Sequence, residues 1–162
     1  MRILGIDPGI ARCGWAVIEE EKSKIKPIAF GCIETSSKQE ISQRLKDVYN
    51  QLLEIIKKYS PEVLSIEELF FNSNAKTAFV VGQARGVILL ASAEKNLKIS
   101  IYTPLQVKLA VTGYGRAEKD QIGKMVKAIL LLKEIPKPDD TTDALAVALT
   151  HAFSVKTAKY AK

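Results

Sequence analysis

Three stretches of this 162-residue chain place carboxylates at the ends of apolar runs. The first is Arg2-Ile3-Leu4-Gly5-Ile6-Asp7-Pro8-Gly9. An apolar run of that length bounded by Pro and Gly reads as a short, largely buried strand. An ionised carboxylate at its end must be solvated, paired or bound to a cation. Asp-Pro-Gly is also good turn chemistry, and on this stretch alone the turn is the more economical reading. The second stretch, Val63-Leu64-Ser65-Ile66-Glu67-Glu68, is a strand that ends on acids. If Leu64 and Ile66 face one side of the sheet, period two puts Ser65 and Glu67 on the other and Glu68 with the apolar set. The third is Asp139-Asp140-Thr141-Thr142-Asp143, opening a helix. Asp140 and Asp143 share one face of its first turn, and Val147 continues that face.

Each cluster has an ordinary structural explanation. Asp is a favoured helix N-cap, and acids suit the positive end of a helix dipole. Capping uses one Asp or two, however, and acids that converge from strand ends and a helix start repel one another unless a cation compensates them. All-oxygen ligands select hard ions, which points to Mg2+ or Mn2+, with Ca2+ able to bind without supporting the chemistry. Carboxylates around paired divalent ions are suited to phosphodiester hydrolysis, one ion generating the attacking hydroxide and the other stabilising the leaving oxygen.

The elements that must position these acids follow from periodicity. Strands are expected at Arg2 to Asp7, Cys13 to Glu20 and about Lys26 to Thr35, with connections short enough for antiparallel hairpins. From Gln39 to Tyr59, Ile41, Leu45, Val48, Leu52, Ile56 and Tyr59 step by three and four, as in an amphipathic helix. Pro61 ends it, and the strand at Val63 to Glu68 returns through the core. A long helix over 74–95 is apolar nearly all round and is expected to be buried on more than one side. Gly82 and Gly86, one turn apart in it, mark a candidate dimer surface. Lys98 to Thr103 gives a fifth strand, and Pro104 to Val111 a short helix with Pro at its first position. A Gly-rich basic segment around Gly113, Gly115 and Arg116 follows. Helices are then expected from about Lys119 to Leu132 and from about Asp139 to Phe153. The whole is an α/β single domain over residues 1–155, a five-stranded mixed sheet flanked by α-helices with its first three strands antiparallel, followed by a basic frayed tail at 156–162.

Twenty-four Lys and Arg against 18 Asp and Glu give a net charge of +6, which favours a polyanionic partner. No signal-like leader is visible, and no apolar run reaches the ~18 residues of a membrane span. A cytoplasmic protein without a membrane partner is therefore expected. Cys13 and Cys32 lack metal-ligand spacing and read as free buried thiols. His151 is the one histidine, which argues against a zinc site.

Taken in order, these residues resemble the RuvC Holliday-junction resolvases, whose fold is that of ribonuclease H. The match comprises Gly5-Ile6-Asp7-Pro8-Gly9, Ile66-Glu67 with Leu69-Phe70, and Gly82-Gln83-Ala84-Arg85-Gly86. It continues through Gln106-Val107-Lys108, Gly113 with Gly115, Ala117-Glu118-Lys119, and Asp140 with Asp143-Ala144-Leu145-Ala146. The resemblance implies that Asp7, Glu67, Asp140 and Asp143 are metal-binding catalytic acids holding two Mg2+ ions, with Mn2+ a substitute. It leaves Glu68 and Asp139 outside that set. It implies DNA contacts for Lys108 and Lys119 near the scissile phosphate and for Phe70, stacked on bases at the junction centre. Arg116 suits backbone contact. Phe71 reads as packing, Arg85 as support for helix packing or a dimer, and His151 as structural. The implied activity is paired symmetric nicking of four-way junction DNA by a homodimer, in recombination and repair, with a branch-migration helicase complex as a further partner. Alternatives are another ribonuclease-H-like nuclease acting on structured RNA or branched DNA, and a non-catalytic junction-binding protein. A phosphotransferase of the actin and sugar-kinase superfamily shares the Asp7-Pro8-Gly9 type of opening, but 162 residues leave no room for its second half.

Overall fold

A computed structural model of the chain describes residues 1–22, 24–69 and 75–160, with side chains for all of these except 75, 76 and 156–160. Five strands and five helices run in the order β1 (Arg2–Asp7), β2 (Arg12–Glu21), β3 (Lys24–Glu34), α1 (Ile41–Tyr59), β4 (Val63–Glu67), α2 (Ala75–Glu94), β5 (Lys98–Tyr102), α3 (Pro104–Thr112), α4 (Lys119–Ile129) and α5 (Asp139–Tyr160). The sheet order is β3-β2-β1-β4-β5. β1 pairs antiparallel with β2 and parallel with β4, and β5 runs parallel to β4. The expected mixed sheet with three antiparallel strands is the one observed.

β1 is central because almost all of it is apolar. Period two sends Leu4 and Ile6 to one face, where they pack with Val17, Leu64, Ile66, Val48, Leu52 and Ile88. Ile3 goes to the other, with Ala16, Ile18, Leu145, Ala148 and Leu149. The molecule is thus three layers, with α1 and α2 on one face and α3, α4 and α5 on the other. β3 is an edge strand, and its Pro27 sits there without removing a central ladder bond.

Glycine decides how closely α5 lies on the sheet. A Cβ on Gly5 would stand 2.2 Å from the Ala144 carbonyl oxygen, and one on Gly14 only 1.8 Å from that of Asp140. The backbones of β1 and β2 therefore touch the first turns of α5 directly. No bulkier residue would let Asp140 and Asp143 come down to the end of β1.

Several boundaries differ from expectation. α5 continues to Tyr160, past the expected end at Phe153. α4 stops at Ile129 instead of Leu132, because Leu131 adopts a left-handed φ of 52°. α2 buries Ala84, Ile88, Ala91 and Ser92, but Phe79 and Leu90 are 68% and 56% exposed. The helix is therefore buried along one stripe, where it meets the sheet and α1, and not on several sides. Cys13 is buried as expected, whereas Cys32 is only half-buried; both thiols are free. Burial, the first cause for each, pushes Cys13 up to about 12 and Cys32 up to about 11. Among the described residues no helix is long and apolar enough to cross a membrane.

Candidate active site

Asp7 is the last residue of β1 and Glu67 the last of β4. The parallel pairing Ile6 with Ile66 precedes both, so the two acids end adjacent strands side by side. Period two places Asp7 on the face of Ile3 and Gly5, toward α5. The same holds for Glu67, because Ser65, two residues earlier and fully buried, donates its hydroxyl to the Val147 carbonyl of α5 at 2.8 Å. That bond ties the strand carrying Glu67 to the helix carrying Asp143, one turn before Val147. Glu68 falls just past the end of β4, and its amide donates to the Tyr102 carbonyl at 2.8 Å.

A cleft of about 410 Å³ is lined by Asp7, Glu67 and Asp143 together with Lys108, Arg116 and Lys119. Six of the eight residues singled out from the sequence therefore share one cavity. Lys108 comes from α3, whose start is fixed by a Thr103–Gln106 capping box with Pro104 at the first helical position. Lys119 opens α4, after Glu118, whose amide donates to Gln121 at 2.9 Å. Arg116 sits between them, past Gly113, which takes a left-handed φ of 73°. Asp140 stands outside this cleft and faces Arg12, whose Nε lies 3.6 Å from its Oδ2. Phe70 and Phe71 lie outside the described residues.

The electrostatics record crowding of like charge. Asp7 is pushed up to about 8, first by burial and then by Asp143, Glu67 and Asp140; Lys119 opposes the shift. Glu67 is raised by burial and by Asp143, against Lys119 and Lys108. Lys119 donates to Asp143 Oδ2 at 3.0 Å, and that bond is the main cause that raises its own pKa. Among the described residues, no three Asp, Glu, His or Cys side chains close into a finished ligand cluster. Asp140 is turned toward Arg12 and Asp143 toward Lys119. In donor type and in excess negative charge the four acids fit a hard divalent cation, which would relieve the repulsion that lifts Asp7.

Sequence reasoning passed over Arg12, whose one signal is an opposite charge five residues after Asp7. It also passed over the partner of His151. The Tyr102 hydroxyl lies 2.8 Å from His151 Nδ1, joining the end of β5 to α5, and burial lowers the pKa of the imidazole. Arg85 is partly buried, and its Nε has no hydrogen-bond partner among the described residues.

The chain is similar along nearly its whole length to proteins of known name. A family model described as "Crossover junction endodeoxyribonuclease RuvC" matches residues 3–151. A protein of that name from Caldicellulosiruptor saccharolyticus is 56% identical over 161 residues, covering 99% of this chain and 97% of the relative. One from Halothermothrix orenii is 55% identical over 156 residues, 96% of this chain and 94% of the relative. Among solved structures, Thermus thermophilus RuvC in complex with Holliday junction substrate superposes with a TM-score of 0.93 at 36% identity, covering 98% of this chain and 96% of that one.

Proposed function

The chain belongs to the RuvC family of crossover junction endodeoxyribonucleases, and we infer that it resolves four-way DNA junctions by hydrolysing phosphodiesters in the acidic cleft. The observation that carries this reading is the mixture of charges in one cavity, where Asp7, Glu67 and Asp143 meet Lys108, Arg116 and Lys119. Carboxylates alone would repel a nucleic-acid backbone. With three cations lining the same cleft, the backbone can be held while a phosphorus is attacked beside the acids.

In this reading Asp7, Glu67, Asp140 and Asp143 hold Mg2+, with Mn2+ as a substitute and two ions per site. Such ions, when bound, lower the pKa of water and offset charge on the leaving oxygen. The protein's own groups do the rest. β1 holds Asp7 in place because its strand is buried on both faces. Lys108 and Lys119 grip the scissile phosphate and oppose its developing charge, and Arg116 contacts the backbone on a glycine-flanked loop. Phe70 stacks on bases at the junction centre.

Paired symmetric nicking calls for two copies. The exposed Phe79 and Leu90 of α2, with the half-exposed Ile99 and Ile101 of the edge strand β5, supply apolar surface suited to a homodimer. The single domain over 1–155 is the catalytic unit, in a reducing cytoplasm that leaves both thiols free, with a branch-migration helicase complex as a further partner. The deciding experiment incubates the protein with a synthetic four-way junction, a duplex and a structured RNA, with and without Mg2+, and maps nicks on every strand. Metal-dependent nicks at symmetric positions on the junction are expected. Preferential cutting of RNA, or junction binding without cleavage in Mg2+ or Mn2+, would overturn the assignment.

A further inference from the structure

The four acids differ in what faces them. Asp7 and Glu67 sit at the strand ends and are raised first by burial and then by Asp143. Asp140 and Asp143, in the first two turns of α5, each meet a cation: Arg12 at 3.6 Å and Lys119 at 3.0 Å. Lys119 lines the cleft together with Lys108 and Arg116. Arg12 does not. It opens β2, and in the sheet order β2 flanks β1 on one side while β4, β5 and the α3 that follows β5 lie on the other. Resting on the junction-nuclease reading above, we propose that Arg12 is a DNA-backbone ligand that holds a phosphate from the bank opposite Lys108 and Arg116.

The geometry leaves Arg12 available for this. Its side chain is 57% exposed, and 3.6 Å from Asp140 is looser than the ~2.7–2.9 Å of a charge-assisted hydrogen bond. A guanidinium carries five N–H donors in a fixed fork matched to phosphate oxygens, and one loose contact does not use them up. Its backbone, in contrast, is fixed. A Cβ on Gly9 would stand 2.0 Å from the Arg12 carbonyl oxygen, so the turn after Asp7 closes directly onto Arg12. The amide of Thr35 donates to the Ala11 carbonyl at 3.1 Å, clamping the same corner from β3's side. The cross-strand neighbour of Arg12 is Glu34, and the second guanidinium at this corner, Arg44, is engaged through its Nε, which donates to the Thr35 hydroxyl at 2.9 Å. The strand passing over Asp7 and Glu67 is then held on both sides of the acids, and the phosphate between the two banks is the one presented for attack.

The simpler role, neutralising Asp140 and nothing more, makes a different prediction. Binding of a fluorescent four-way junction is measured by anisotropy in EDTA, where no cleavage occurs, over a series of salt concentrations. Each phosphate contact on duplex arms contributes about −0.9 to the slope of log K against log salt. Arg12→Gln is expected to make the slope shallower by about that amount per subunit bound, while Arg12→Lys keeps most of it. The same loss is expected when Arg12→Gln is introduced beside Asp140→Asn. An unchanged slope in Arg12→Gln overturns the proposal, as does an effect that vanishes in the Asp140→Asn background, which would mean that Arg12 acts only through Asp140. A wild-type protein that does not bind the junction at all overturns the underlying reading as well, and is seen before any variant is compared.

Discussion

Lys119 Nζ lies 3.0 Å from Asp143 Oδ2, so the first residue of α4 is bonded to the N-terminal part of α5. The lysine is 73% exposed, and an ion pair in that setting contributes little to stability, about 0–1 kcal/mol. Its charge nevertheless reaches Asp7 and Glu67, where it opposes the upward shifts. Lys119→Gln is expected to melt within about 1 kcal/mol of wild type, yet to lose on the order of 10²–10³ in single-turnover junction cleavage, the usual cost of removing one positioned donor from developing charge. Wild-type cleavage in Lys119→Gln would remove the residue from the machinery.

Asp7 sets a pH dependence whose sign is opposite to that of an ordinary salt-bridged carboxylate. Its folded value of about 8 lies above the ordinary 3.8, so between those values the folded state holds a proton that the unfolded state has released. Metal-free stability from this group is therefore present below that window and lost as pH rises through it. Urea melts in EDTA at pH 5 and pH 8 are expected to show the wild type losing on the order of 1–3 kcal/mol more than Asp7→Asn over that interval. Added Mg2+ restores stability at the higher pH in the wild type and not in the variant. Asp7→Asn is also expected to keep junction binding while abolishing cleavage; a variant that cuts at the wild-type rate would sink the metal assignment.

Gly14 makes a steric prediction. An added methyl would lie 1.8 Å from the Asp140 carbonyl oxygen, on backbone that cannot rotate away. Gly14→Ala is expected to cost about 1–3 kcal/mol through displacement of α5, and to lose cleavage beyond what the remaining folded fraction explains. Normal cleavage per folded molecule would mean that the placement of Asp140 tolerates movement.

Leu131 offers a test remote from the cleft. It is 90% exposed with a left-handed φ of 52°, a conformation that costs a residue with a Cβ roughly 1–2 kcal/mol. Leu131→Gly relieves that strain at some entropic cost and is expected to raise urea-melt stability by up to ~1 kcal/mol with junction cleavage unchanged. A destabilised variant would show that the leucine packs in solution.

The sequence by itself determined the strand that ends on Asp7 and, to within one residue, the one that ends on Glu67, because an apolar run stopped by an acid at a chain turn is a local pattern. It determined the side of β4 that Glu67 occupies, since period two follows from one strand and the apolar Leu64 and Ile66 fix it. The ordered motif carried the family and hence the sheet. What the chain could not reveal locally was distance between elements. That Lys108, Arg116 and Lys119 share a cleft with three acids depends on α3 and α4 packing over the end of the sheet. That Asp140 turns aside to Arg12 depends on β2 lying beside β1. The closeness of α5 hangs on Gly5 and Gly14, whose lack of a side chain has no meaning until a helix is laid against them. The exposure of Phe79 and Leu90 was equally hidden, for a helix apolar all round announces burial but not which of its residues the fold leaves uncovered. Local patterns are written in neighbouring residues; charge pairing and close approach belong to residues brought together only by folding.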